Sequence, residues 1–132
     1  MTGYLCHKYR ADTNEEIEAN IKSAQRYAFF IQRMGNGIHM LVPHTMVQKR
    51  YGVSTEYNSG SVDEAIVRDC TSLLKMCDTL YVCGDTISAG MEAEIALAKT
   101  LGMSIAAVNS NWLAGAIDVI KNIDPDAEQW TA

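Results

Sequence analysis

Hydrophobic residues recur along the chain with two different periods. Short apolar runs at Gly3–Cys6, Ile38–Val42, Thr79–Cys83 and Ser104–Val108 have the length and composition of buried strands. Between them, apolar residues recur every three or four positions. Ile17, Ile21, Ala24, Ala28 and Ile31 form one helical stripe. The capping box Thr13-Asn14-Glu15-Glu16 opens it, and Gly35-Asn36-Gly37 stops it. Val62, Ile66, Cys70, Leu73 and Cys77 form a second stripe, opened by a second capping box at Ser61-Val62-Asp63-Glu64. Met91, Ile95, Ala98 and Leu101 form a third, capped by Ser88 and ended before Gly102. A last helix is expected from Asn111 to about Ile120. Pro43 ends the second strand, and residues 44–60, with Gly52, Asn58, Ser59 and Gly60, read as a long irregular loop. The tail from Asp124 to Ala132 is polar apart from Trp130.

Strand and helix therefore alternate throughout. That pattern predicts a single doubly wound α/β domain: a parallel sheet of four to five strands, right-handed crossovers and helices on both faces. Such folds bind ligands outside the carboxyl ends of the strands, where the strand order reverses. The segments at that edge are His7–Asp12, Pro43 onward, Gly84–Gly90 and Asn109–Trp112.

Composition narrows the function classes. A chain of 132 residues is one domain, and a mean hydropathy of -0.07 is ordinary for a globular protein. A net charge of -5 argues against a nucleic-acid polymer as partner, though not against a small phosphate at a local basic site. No apolar stretch is long enough to span a bilayer, and Met1-Thr2-Gly3 leads into a strand without a signal-peptide pattern, so a cytoplasmic protein is expected. Cys6, Cys70, Cys77 and Cys83 form no CxxC pair and read as reduced core thiols. The three histidines are not clustered with other ligands, so neither a metal nor a cofactor is expected.

The candidate chemistry starts with Glu94. It lies three residues after Met91 and four before Ala98, on the apolar face of its helix. A carboxylate there is costly unless it is paired or used, although a helix N-terminus also favours Glu. Asp69, between Ile66 and Leu73, repeats the pattern and raises the prospect of an acid/base pair; the plainer reading is an ion pair at the core edge. The loop Gly84-Asp85-Thr86-Ile87-Ser88-Ala89-Gly90 offers backbone N–H groups, a hydroxyl and a helix N-terminus to an anion, or Ser88 simply caps the helix. His7, Lys8, Tyr9 and Arg10 gather positive charge at the same edge, where Arg10 could grip a phosphate or form a surface salt bridge. His44 follows Pro43 at that edge, whereas His39 lies within a strand.

These residues resemble the nucleoside 2-deoxyribosyltransferase-like superfamily. The resemblance rests on Tyr4-Leu5-Cys6 with Tyr9-Arg10-Ala11, on Val42-Pro43-His44, on Leu74-Lys75-Met76-Cys77-Asp78, and on Ser88-Ala89-Gly90-Met91-Glu92-Ala93-Glu94-Ile95 through Gly102. It covers residues 4 to about 108 and is closest to a small branch of mostly unassigned function, similar to 2′-deoxynucleoside 5′-phosphate N-hydrolases. It implies a flavodoxin- or Rossmann-like domain over residues 1–132 and a homo-oligomer. It also implies cleavage of the base–sugar bond of a (deoxy)nucleoside 5′-monophosphate, with Glu94 as covalent nucleophile. Asp69 resembles the family's sugar-positioning or base-protonating Asp, but its spacing to Asp78 is one residue longer than expected. Tyr9, Arg10, His44, Ser88, Gly90 and Met91 would surround the substrate and its phosphate. Ser88 stands where transferases on free nucleosides carry an acidic residue, which points to a phosphorylated substrate. His7-Lys8 replaces smaller residues and could narrow the pocket. Two other functions stay open: a non-catalytic binder of nucleotides or nucleotide-derived signals on the same fold, and a partner-binding protein using Trp112, Trp130 or the 44–60 segment.

Overall fold

The computed structural model describes residues 1–35 and 37–132. In chain order the elements are β1 (Thr2–Cys6), α1 (Asn14–Met34), β2 (His39–Leu41), α2 (Pro43–Tyr51), a 3₁₀ turn (Thr55–Asn58), α3 (Gly60–Leu74), β3 (Thr79–Cys83), α4 (Ala89–Thr100), β4 (Ser104–Val108), α5 (Ala116–Ile123) and β5 (Glu128–Trp130). All five strands are parallel, in the order β2-β1-β3-β4-β5. The chain steps outward from β1 to β2 and then crosses back to β3. The strand order therefore reverses between β1 and β3, and a crevice opens beyond their carboxyl ends.

The strands alternate with period two between two apolar layers. Leu5, Tyr81, Cys83, Ala106 and Val108 face α1, packing on Ala24, Ala28 and Ile31. Tyr4, Cys6, Leu80, Val82, Ile105 and Ala107 face the other way, onto Leu74, Met91, Ile95, Ala98 and Ile120 of α3, α4 and α5. This second layer turns the Tyr4 side chain toward α4. Helix α1 begins as its sequence predicts, with the Thr13 hydroxyl accepting from the Glu16 N–H at 3.2 Å. At its other end the Gly35 N–H donates to the Ile31 carbonyl at 2.7 Å, while Asn36 of the expected stop lies outside the described residues.

Four local expectations are corrected. The 44–60 segment contains helix α2, which Pro43 starts at its first turn rather than merely ending a strand. Helix α3 starts at Gly60 behind Ser59, so Ser61 is not its cap. The last helix runs Ala116–Ile123, since Gly115 at φ 82 turns the chain just before it. The polar tail adds a three-residue edge strand, β5, paired with β4 through Ala106–Val108. Among the described residues no helix is long and apolar enough to cross a membrane.

Candidate functional site

A cavity of about 340 Å³ lies over the point where the strand order reverses. Its floor is Tyr4 of β1 and Met91 and Glu94 of α4. Tyr9 and Arg10 reach it from the loop after β1, His44 and Val47 from α2, and Asp63, Ile66 and Cys70 from α3.

Glu94 sits on the second turn of α4, half-buried between helix and sheet. The Tyr4 hydroxyl, on the strand beneath, donates to its Oε2. Burial pushes the Glu94 carboxyl up to about 7, against the opposing pull of hydrogen bonds from the Tyr4 hydroxyl and the Cys6 thiol. Near neutral pH the group is thus divided between carboxylate and acid. Tyr4 holds its own proton tightly, because burial and then the adjacent Glu94 charge raise it well above the usual tyrosine range. Cys70 is pushed up to about 12 by burial and by the same charge, so it stays a thiol.

Ser88 caps α4, its Oγ accepting from the Met91 N–H at 3.2 Å. That oxygen keeps a hydroxyl hydrogen to offer a ligand. The N–H groups of Ala89 and Gly90, in the first turn, have no intrahelical acceptor. They leave free donors at one lip of the cavity, where a helix N-terminus can accept an anion. Across the mouth Arg10 is salt-bridged to Asp63, with side-chain exposures of 47% and 19%.

The two wall histidines are neutral by their surroundings. The His44 Nε2–H donates to the carbonyls of His7 at 3.0 Å and Lys8 at 3.1 Å, which leaves Nδ1 unprotonated. Burial, and then His7 alongside, lowers His44 to about 4. His7 donates from Nδ1 to the Lys8 carbonyl at 2.8 Å and accepts at Nε2 from the Ser23 hydroxyl at 3.0 Å. It is tucked under Gly84, where a Cβ would stand 3.3 Å from its ring. The bulk of His7 is therefore absorbed beneath the β3 loop. The cavity stays open, and Lys8 does not line it.

The structure gathers Tyr9, Arg10, His44, Ser88, Gly90, Met91 and Glu94 around this one cavity. Asp69 is placed elsewhere. Its Oδ2 accepts from the Tyr51 hydroxyl at 2.5 Å and pairs with Arg50 at 3.4 Å, away from the cavity wall. Its neighbour Cys70 takes the inward position on α3. Tyr4, Asp63 and Cys70 were missed as site residues. Alternation along β1 would have found Tyr4, which shares a face with Cys6, but a thiol and a capping-box aspartate give no such signal. Among the described residues no cluster of three or more His, Cys, Asp or Glu could hold a metal ion.

A family model described as "Domain of unknown function (DUF7768)" matches residues 2–108. No curated protein matches the sequence. Solved structures do match it. A conserved protein from Enterococcus faecalis V583 is 14% identical with a TM-score of 0.64, over 100% of this chain and 91% of that one. A 2-deoxyribosyltransferase from the psychrotolerant bacterium Bacillus psychrosaccharolyticus is also 14% identical, with a TM-score of 0.60, over 90% of this chain and 80% of that one. At such identity the likeness establishes a common α/β fold.

Proposed function

We propose, for a chain that belongs to the DUF7768 family of domains of unknown function, that it cleaves the base–sugar bond of (deoxy)nucleoside 5′-monophosphates. It works as an N-glycosidase or a deoxyribosyl transferase. The observation that carries this reading is Glu94: a half-buried carboxylate on the floor of a cavity, held by the Tyr4 hydroxyl, on a fold shared with a 2-deoxyribosyltransferase.

Ionised Glu94 attacks the anomeric carbon from the face opposite the base. The C–N bond breaks, and the sugar is held as an ester on Oε. Water, or a second base, then displaces the carboxylate from the vacated face, so the anomeric configuration is retained. Tyr4 aims the nucleophile and steadies its charge. The helix N-terminus, the Ser88 hydroxyl and Arg10 take the 5′-phosphate. Arg10 retains free N–H donors while paired with Asp63.

The same reading includes a homo-oligomer. Val67, 50% exposed in the cavity wall, would be covered by a second copy, and light scattering tests that assembly. It also places the protein in the cytoplasm, where its four free thiols would stay reduced.

The test is incubation with a panel of nucleotides and nucleosides, with chromatography for free base. Wild type should release base and Glu94→Ala should not. Stoichiometric binding without release, measured by calorimetry, would replace the enzyme reading with that of a nucleotide binder.

A further inference from the structure

The cavity is furnished to attack an N-glycoside but poorly furnished to protonate what leaves. Breaking the bond to an ordinary, neutral base places negative charge on a ring nitrogen, and a general acid normally relieves it. Among the described residues lining the cavity, each carboxyl and imidazole group that could supply that proton is otherwise engaged, which leaves phenols, alcohols and a thiol. Asp63 is taken up as the acceptor of the Arg10 guanidinium. Asp69, the second carboxylate suggested by the sequence, is turned outward onto Tyr51 and Arg50. The His44 Nε2–H is held by two backbone carbonyls, and the His7 Nδ1–H by a third. Tyr4 donates to the nucleophile itself. Glu94 cannot be both carboxylate nucleophile and acid in one step. Burial reinforces the geometry: Tyr4, Tyr9 and Cys70 hold their protons more tightly than usual, and His44 holds one too loosely.

The same wall suits a positive charge. With Asp63 and Arg10 neutralising each other, ionised Glu94 is the uncompensated charge, and Tyr4, Tyr9 and Tyr57 line the same cavity. We propose that the substrates are nucleotides whose base already carries a positive charge, as in N7-alkylated purine or pyridinium N-glycosides, because such a base departs neutral and needs no proton from the protein. This rests on Glu94 being the nucleophile. The step balances: a Glu94 Oε–C1′ bond forms, the C1′–N bond breaks, and its electron pair cancels the charge on the ring. Water then cleaves the ester, releasing the sugar phosphate and one proton.

The matched pair 7-methylguanosine 5′-monophosphate and guanosine 5′-monophosphate, in ribose and 2′-deoxyribose forms, tests this directly. Base release is followed by chromatography, with the uncatalysed rate subtracted and Glu94→Gln as blank. The methylated nucleotide should be cleaved with a kcat/KM at least about a hundredfold higher, the scale of a missing general acid. A smaller preference, or the reverse, overturns the proposal while leaving Glu94 as nucleophile. Release from neither nucleotide, with the protein folded by circular dichroism, overturns the proposal together with the reading it rests on.

Discussion

Asp69 on α3 and Glu94 on α4 occupy equivalent places in the hydrophobic pattern. Each interrupts an apolar helical stripe near the carboxyl edge of the sheet. Their environments differ completely. Glu94 stands on the cavity floor under the Tyr4 hydroxyl. Asp69 faces Tyr51 and Arg50. On α3 it is Cys70, one residue on, that turns inward. One residue is a rotation of about 100° on a helix. An acid at the margin of a stripe can thus be functional or merely solvated, and only a partner on the facing strand decides. Glu94 has Tyr4. Asp69 has only its own neighbourhood.

The largest test of that contrast is Glu94→Gln. If the Glu94 ester carries the reaction, base release should fall by at least about a thousandfold, as for loss of a covalent nucleophile. Stability should move the opposite way. The folded-state pKa of about 7 lies above the group's ordinary value of 4.5, so the folded protein binds the extra proton between those values. Stability from this group is complete below about 4.5 and is lost as pH rises through about 7, a change of roughly 3 kcal/mol. Glu94→Gln should abolish this slope and melt higher than wild type at pH 8. Denaturant melts of both proteins at pH 5 and pH 8 would show it. Parallel melts would mean that Glu94 is solvated much as Asp69 is.

Ser88→Asp comes next. Aspartate caps a helix as well as serine, so the melting temperature should hold within a few degrees. Its charge opposes a phosphate at the α4 N-terminus, so KM for 5′-monophosphates should rise roughly tenfold or more while that for free nucleosides does not. Equal effects on both would remove the phosphate from this lip of the cavity.

Tyr4→Phe should act more gently, through the nucleophile. Wild-type kcat/KM should rise with pH through about 7, as Glu94 ionises. The Tyr4 hydrogen bond favours the carboxylate. Without it the rise should move to higher pH, by about half a unit to one unit. A pH–rate profile separates this from simple loss of folded protein, which would lower the curve without moving it.

Much of this was legible in the chain. The alternation of strand runs with helical stripes specified a parallel α/β sheet, and the bracket Met91–Glu94–Ala98 drew attention to Glu94. Helix α2 was hidden because it buries little beyond Pro43, His44 and Val47, and its other residues carry no stripe. Strand β5 was hidden because a three-residue edge strand has almost no pattern of its own. The start of α5 was shifted because residues 109–115 are tied down by long-range bonds, such as the Leu113 N–H to the Asp85 carbonyl at 3.0 Å. At the site, Cys70 was illegible as a wall residue because a buried thiol reads as a small hydrophobe.

Asp69→Asn carries the smallest expected effect and defines the other end of the contrast. Its pair with Arg50 is open to water, since the Arg50 side chain is 64% exposed, and pairs of that kind contribute little. Asparagine keeps an oxygen able to accept from the Tyr51 hydroxyl, so the contact at the end of α2 survives. The melting temperature should stay within about 2 °C of wild type, and base release within about twofold. The measurement is informative because both the helical pattern and the resemblance offered Asp69 a share in the chemistry. A hundredfold loss of release with an unchanged melting curve would mean that α3 turns in solution to bring Asp69 into the cavity. The carboxylates would then be partners in one site, and a general acid would be available to neutral bases after all.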